Sequence, residues 1–161
     1  MTGWRVGYAA GPVEVISAAA KIQSHSTSAA STISQYAAIA ALNGPQVEIS
    51  KMVMEFQKRR DYFVSHLQDI PGIASNKPQG AFYIFPNISS FFGMMYEGVV
   101  INNSIDFANY LLDEAKVVVV PGSGFGADQF IRISYSTSMD KIEQSLIKIK
   151  TTLAKLKSAQ D

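Results

Sequence analysis

Two arginines stand where a charge is out of place. Arg5 is the only formally charged side chain in the first thirteen residues, inside Met1-Thr2-Gly3-Trp4-Arg5-Val6-Gly7-Tyr8. Arg132 interrupts an otherwise apolar run between Ile131 and Ile133 and follows the glycine-rich stretch Gly122-Ser123-Gly124-Phe125-Gly126. A guanidinium offers N–H donors in a planar fork that matches a phosphate or a carboxylate, so each arginine is a candidate anion ligand. The plainer alternatives are a structural ion pair for Arg5 and an exposed sheet edge for Arg132. The glycine-rich stretch itself could bring backbone N–H groups close to an anion. No Gly-Lys-Ser/Thr follows it, however, and it leads toward a strand where both nucleotide-binding glycine motifs need a helix, so a tight turn is the expectation. His25 and His66 have no second histidine or carboxylate at ligand spacing, and no metal site is expected. No serine, histidine and acid arrangement suggests hydrolysis. Lys58-Arg59-Arg60 reads as the solvated face of a helix.

The elements that would position these groups follow from periodicity and punctuation. Trp4 to Ala10 suggests a short strand ending at Gly11-Pro12, followed by a helix with Pro12 and Glu14 in its first turn and Ile16, Ala19, Ala20 and Ile22 along it. Ser24 to Ser28 interrupts that helix, with Ser26, Thr27 and Ser28 as candidate caps, before an alanine-rich helix carrying Ile33, Tyr36 and Ala40. Asn43-Gly44-Pro45 stops it. A long helix runs from Pro45 to about Asp69, with Ile49, Val53, Phe56, Phe63 and Leu67 on one stripe and Glu55 placed to pair with Arg59. Arg60 breaks the stripe, which turns that end toward water or a second domain. Beyond Pro71-Gly72 come a strand at Ala81–Phe85, a helix capped at Asn103 or Ser104, a buried strand at Val117–Val120, a strand at Phe130–Tyr135 and a final helix starting at the Thr137/Ser138 cap. The second half is thus a small α/β layer, whereas the first half has one strand and two helices with no sheet of its own.

The chain of 161 residues is long enough for a real core. Its net charge of +1, from ten scattered lysines and four arginines against thirteen acids, gives no electrostatic stripe for nucleic acid. With no cysteine there is neither a disulfide nor a thiolate metal site, which suits a reducing compartment, and the cytoplasm is expected. No apolar run reaches membrane-spanning length; the stretch from Ala29 to Leu42 is too short and too polar.

Met1 to Tyr8 followed by Gly11-Pro12 resembles the segment just downstream of the cofactor-bearing lysine in class I aminotransferases of the aspartate aminotransferase superfamily, the fold-type I enzymes of pyridoxal 5'-phosphate (PLP). The resemblance continues in order through Gln35-Tyr36-Ala37-Ala38, Gly80-Ala81-Phe82-Tyr83-Ile84-Phe85-Pro86, Val119 to Gly126, and Ile131-Arg132-Ile133-Ser134-Tyr135. It covers nearly the whole chain but only the C-terminal portion of a family member. It implies that residues 1–44 are the C-terminal remnant of a large PLP-binding domain, residues 45–70 a long connecting helix, and residues 71–161 the small C-terminal α/β domain. By the same resemblance Arg5 holds the cofactor phosphate, Arg132 binds the α-carboxylate of the amino-acid substrate, Phe82 lines the substrate site and the glycine-rich turn shapes the cleft. The reacting lysine would fall before residue 1, since none of Lys21, Lys51, Lys58 and Lys77 sits in a matching motif, so no catalytic residue is assigned. Where the family often has Thr-Ser-Asn-Pro in a loop reaching the neighbouring subunit, the chain has Thr27-Ser28-Ala29-Ala30.

The implied activity is amino-group transfer between an amino acid, aspartate or similar, and a 2-oxo acid by the intact homodimeric polypeptide, with these residues alone expected to be inactive. A free-standing binding or dimerisation module, and a PLP-dependent β-lyase or cyclopropane-forming synthase, are the alternatives.

Overall fold

The computed structural model describes residues 1–158, and the chain divides into two compact units, Met1–Ser50 and Lys51–Asp161.

The first unit begins with a tight 3₁₀ turn, Thr2–Trp4, and irregular chain to Pro12, in place of the expected strand. A strand needs a partner to satisfy its backbone, and none of the described residues pairs with this stretch. Helix α1 (Val13–Ser26) then starts with Pro12 at its cap position, where a fixed φ and a missing N–H cost nothing. The interruption expected at Ser24 comes later, because Ser24 returns its hydroxyl to the Lys21 carbonyl and stays helical. Ser26 to Ser28 do not cap the next helix. Ser26 ends α1, Ser28 takes a left-handed turn at φ 63°, and Ser31 occupies the cap position of α2 (Thr32–Asn43). Gly44 closes α2 at a spot where a Cβ would fall on the Ala40 carbonyl oxygen.

Helix α3 (Val47–Gln68) buries Phe63 and Leu67 of the expected stripe together with Val64, whereas Ile49 and Val53 at its N-terminal end are exposed. The Glu55–Arg59 pair forms at 2.9 Å. Arg60, expected at a face turned to water or a second domain, instead lies against the chain that follows: its guanidinium donates to Asp61 at 2.8 Å and to the Pro78 carbonyl at 3.2 Å. Those bonds, with Lys77 at 2.9 Å, hold the Asp61 carboxyl below its ordinary pKa.

Two small antiparallel sheets complete the second unit. In one, β1 (Tyr83–Ile84) and β4 (Val120–Pro121) flank β5 (Ile131–Ser134), with Ile84 opposite Ile133 and Val120 opposite Arg132. In the other, β2 (Met94–Tyr96) lies between β3 (Val99–Val100) and β6 (Lys157–Ser158). Glu97 and Gly98, both at positive φ, make the two-residue turn between β2 and β3. Val117–Val120 is not the strand buried on both faces that its composition suggests. Val117 and Val119 are buried but Val118 is 77 % exposed, and only Val120 of the run enters a strand, the edge strand β4.

Helix α4 (Ser104–Tyr110) is capped by Asn103, whose side chain accepts from the Ile105 and Asp106 N–H groups, and widens into a π turn over Leu111–Ala115. Helix α5 (Met139–Leu153) starts at Ser138 and buries Ile142, Leu146, Ile149 and Leu153. These side chains join Phe63, Leu67, Ile84, Phe107, Leu111, Ile131 and Ile133 in one core. Every buried hydrophobic residue among the described ones lies between Phe63 and Leu156.

Candidate functional site

Alternation along β5 decides what Arg132 can do. Ile131 and Ile133 point into the core, so Arg132 must point to the opposite face of the sheet. On β1 the same rule sends Ile84 inward and leaves Tyr83 and Phe85 on the Arg132 side. The resulting face is aromatic. The Arg132 guanidinium carbon lies 4.4 Å from the centre of the Tyr83 ring and 4.8 Å from that of Phe125. Phe85 stacks on Phe130 at 5.1 Å and meets Phe125 edge-on at 5.9 Å. Arg132 is half-buried, and among the described residues no carboxylate or carbonyl accepts from its N–H groups. The arrangement can receive a carboxylate at those free donors, with the rings holding the cation by attraction to their faces.

Phe125 comes from the glycine-rich stretch, which is the tight turn that its sequence context suggests. Gly122–Phe125 is a 3₁₀ turn, closed by Gly126 at φ 71°. A Cβ on Gly122 would fall on the carbonyl oxygens of Ala127 and Phe130, so only glycine fits there. The buried Ser104 hydroxyl donates to Asp128 at 2.6 Å and accepts from the Ser123 N–H at 3.2 Å, which ties the turn to the start of α4.

Phe82 faces a different hollow. It lies 6.2 Å from Phe56 and lines a concavity of about 480 Å³ with Phe56, Arg60, Gln79 and Tyr135. The preceding residue, Ala81, sits at φ 59°, a left-handed conformation that costs a non-glycine residue about 1–2 kcal/mol. Tyr135 holds it there, its hydroxyl donating to the Ala81 carbonyl at 2.7 Å and its N–H to the Phe82 carbonyl at 3.0 Å. Burial pushes the Tyr135 hydroxyl above the usual tyrosine pKa.

Arg5 belongs to the first unit. It ends the Thr2–Trp4 turn at φ 50° and is exposed, and its side chain has no hydrogen-bond or ionic partner among the described residues. The Trp4 carbonyl beside it accepts from the Ser34 hydroxyl at 2.8 Å, and Ser34 is the buried polar residue of α2. A solvent-facing guanidinium without an acid partner, on backbone tied to a helix, fits a phosphate monoester of the PLP kind.

Of the residues singled out from sequence, Arg132 lies among the aromatic rings, Phe82 lines the Phe56 hollow, and Arg5 stands in the other unit. Tyr83, Phe125 and Tyr135 lie within the resembling segments, but nothing there marks them apart from their neighbours, and Ser34 carries no signal of its own. The described residues contain no cluster of histidine, cysteine and acid suited to a metal ion, and none of their helices is long and apolar enough to cross a membrane.

Residues 1–149 match the family model described as aminotransferase class I and II. The chain is 49 % identical over 154 residues to a Rickettsia conorii protein named probable aspartate/prephenate aminotransferase, covering 95 % of this chain and 38 % of that one. It is 48 % identical over 149 residues to the aspartate aminotransferase of Geobacillus stearothermophilus, covering 92 % and 37 %. The crystal structure of the aspartate aminotransferase from Rhizobium meliloti superposes with a TM-score of 0.90 at 45 % identity, covering 98 % of this chain and 40 % of that one. The chain therefore spans about two fifths of the length of these relatives. Five ordered motifs, a match along nearly the whole chain and a shared α/β fold agree, and the chain belongs to the class I and II aminotransferase family, whose aspartate aminotransferases depend on PLP.

Proposed function

We propose that these residues form the C-terminal part of a PLP-dependent aminotransferase that moves an amino group between aspartate, or a similar amino acid, and a 2-oxo acid. The observation that carries the reading is Arg132: a strand arginine held against two aromatic rings, with its N–H donors free of any protein acceptor. In this reading Arg132 receives the substrate α-carboxylate through two parallel N–H bonds and so fixes the orientation of the α-carbon. Arg5 holds the cofactor phosphate, and Phe82 forms an apolar wall of the substrate site. PLP, when bound, draws electrons away from the substrate α-carbon. The lysine that carries PLP and moves the α-proton is not among these 161 residues, which are inactive on their own.

The same reading assigns residues 1–44 to the large domain, 45–70 to a connecting helix and 71–161 to the small domain. It also brings a cytoplasmic homodimer, which sedimentation equilibrium of the full-length polypeptide checks. The Rickettsia relative's name extends the proposal to prephenate as a second amino-group acceptor.

The deciding experiment is an amino-transfer assay of the PLP-loaded full-length polypeptide with aspartate and 2-oxoglutarate, repeated with prephenate. Arg132→Gln leaves a carboxylate without its charged partner, and kcat/KM for aspartate is expected to fall at least about 30-fold, equivalent to about 2 kcal/mol. Products of elimination or ring closure in place of a 2-oxo acid would overturn the transfer reading.

A further inference from the structure

We propose that Tyr83 and Phe125 are positioning residues for Arg132, a pair of rings that pre-sets the guanidinium for a carboxylate; the inference rests on the carboxylate reading above. An arginine on a strand face has several rotatable bonds, and an aimed fork has usually been fixed by a second set of contacts. In many binding sites an acidic side chain does this, but it also spends N–H donors and cancels charge. Here no acid touches Arg132 among the described residues, and its guanidinium carbon lies instead 4.4 Å and 4.8 Å from two ring centres. Aromatic rings attract a cation while accepting none of its in-plane hydrogen bonds, so the full charge and the N–H edges remain available for a ligand.

The two rings are themselves fixed by separate means. Tyr83 is on β1, which pairs directly with β5 through Tyr83 opposite Ser134 and Ile84 opposite Ile133, so Tyr83 and Arg132 move as one sheet. Phe125 rides on the turn that Ser104 and Asp128 tie to α4, and it also packs edge-on against Phe85 at 5.9 Å. Two independent supports converge on one side chain. That side chain is the candidate carboxylate ligand.

The test uses the PLP-loaded full-length polypeptide and two probes: 2-methylaspartate, which keeps the α-carboxylate but has no α-proton, and its α-carboxamide. Calorimetric titration gives the ratio of their dissociation constants, which measures discrimination for the carboxylate and not overall site integrity. Tyr83→Leu and Phe125→Leu are each expected to lower that ratio by about three- to tenfold, while Tyr83→Phe, which keeps the ring, preserves it. In an Arg132→Leu background the ratio falls near one, and adding Tyr83→Leu moves it no further. Phe125 is 49 % exposed, so its leucine variant retains the fold even if Tyr83→Leu does not. If both leucine variants keep the wild-type ratio, or weaken acid and amide equally, while Arg132→Leu abolishes discrimination, the positioning role is wrong and the carboxylate reading stands. If Arg132→Leu itself leaves the ratio intact, the carboxylate reading fails and this inference falls with it.

Discussion

Ala81 and Arg5 both adopt left-handed backbone, at φ 59° and 50°, and in both cases a side chain far along the chain bonds a carbonyl at the spot. Tyr135 holds the Ala81 carbonyl and Ser34 holds that of Trp4. Strain of about 1–3 kcal/mol persists only where surrounding contacts over-determine it. Ala81→Gly should therefore relieve the local conflict and stabilise the chain by up to about 1 kcal/mol, the left-handed cost less glycine's entropy. Tyr135→Phe leaves the Ala81 carbonyl without its donor and should cost about 1–3 kcal/mol. Urea unfolding of the chain measures both. For Ser34→Ala the expected result is an approximately fivefold weaker affinity of the full-length polypeptide for PLP by equilibrium dialysis, as the Trp4–Arg5 backbone loses its tie. An unchanged affinity would separate Ser34 from the Arg5 phosphate role. Arg5 and Arg132 are legible in the sequence because a lone charge in apolar company is rare. Their supports are not, because Ser34 and Tyr135 reach partners 30 and 54 residues away and are ordinary core or surface types by composition.

At the scale of elements, the helices follow from the sequence because their signals are local: the stripe of α5 and the Asn103 cap each fit within a few turns. Asn103→Ala removes the acceptor of two N–H groups and should cost about 1 kcal/mol in the same urea experiment. Strand pairings depend on residues far apart in the chain. The pairing of β2 with β6 joins Met95 to Lys157, and no local pattern announces a two-residue strand at that separation. The π turn after α4 is equally silent in sequence, yet it has a measurable consequence beside it. Tyr110, the last residue of α4, donates its hydroxyl to the Thr152 carbonyl at 2.7 Å. Burial above all, with Glu114 and Tyr96 nearby, pushes its pKa up to about 12 from 10.0. Below pH 10 the phenol is neutral whether folded or not, so its contribution to stability is intact. Between pH 10 and about 12 the unfolded chain ionises while the folded chain does not, and stability falls as pH rises. Tyr110→Phe should flatten that part of the stability–pH profile.

The whole molecule is uneven in a way that its average composition hides. Apolar residues make up 47 % of the chain, enough for a core throughout. The buried ones nevertheless all lie from Phe63 onward among the described residues, while Tyr8, Val13, Ile22, Ile33 and Tyr36 are each more than 70 % exposed. Sequence periodicity recognises amphipathic helices in both halves, but it cannot say which apolar faces meet a partner within the chain. The difference lies in tertiary contacts: helices α1 and α2 have no sheet in the first unit to cover them, whereas α3, α4 and α5 share one core. Helices of 14 and 12 residues are marginal in water without such packing. A peptide of residues 1–50 should accordingly show little helix by circular dichroism and no cooperative thermal transition. A fragment of residues 51–161, which carries the whole buried core, should unfold cooperatively and with a urea midpoint close to that of the full chain. Cooperative unfolding of the 1–50 peptide would mean that the first unit holds itself together by contacts other than hydrophobic burial. Loss of cooperativity in the 51–161 fragment would mean that its core depends on residues before Lys51.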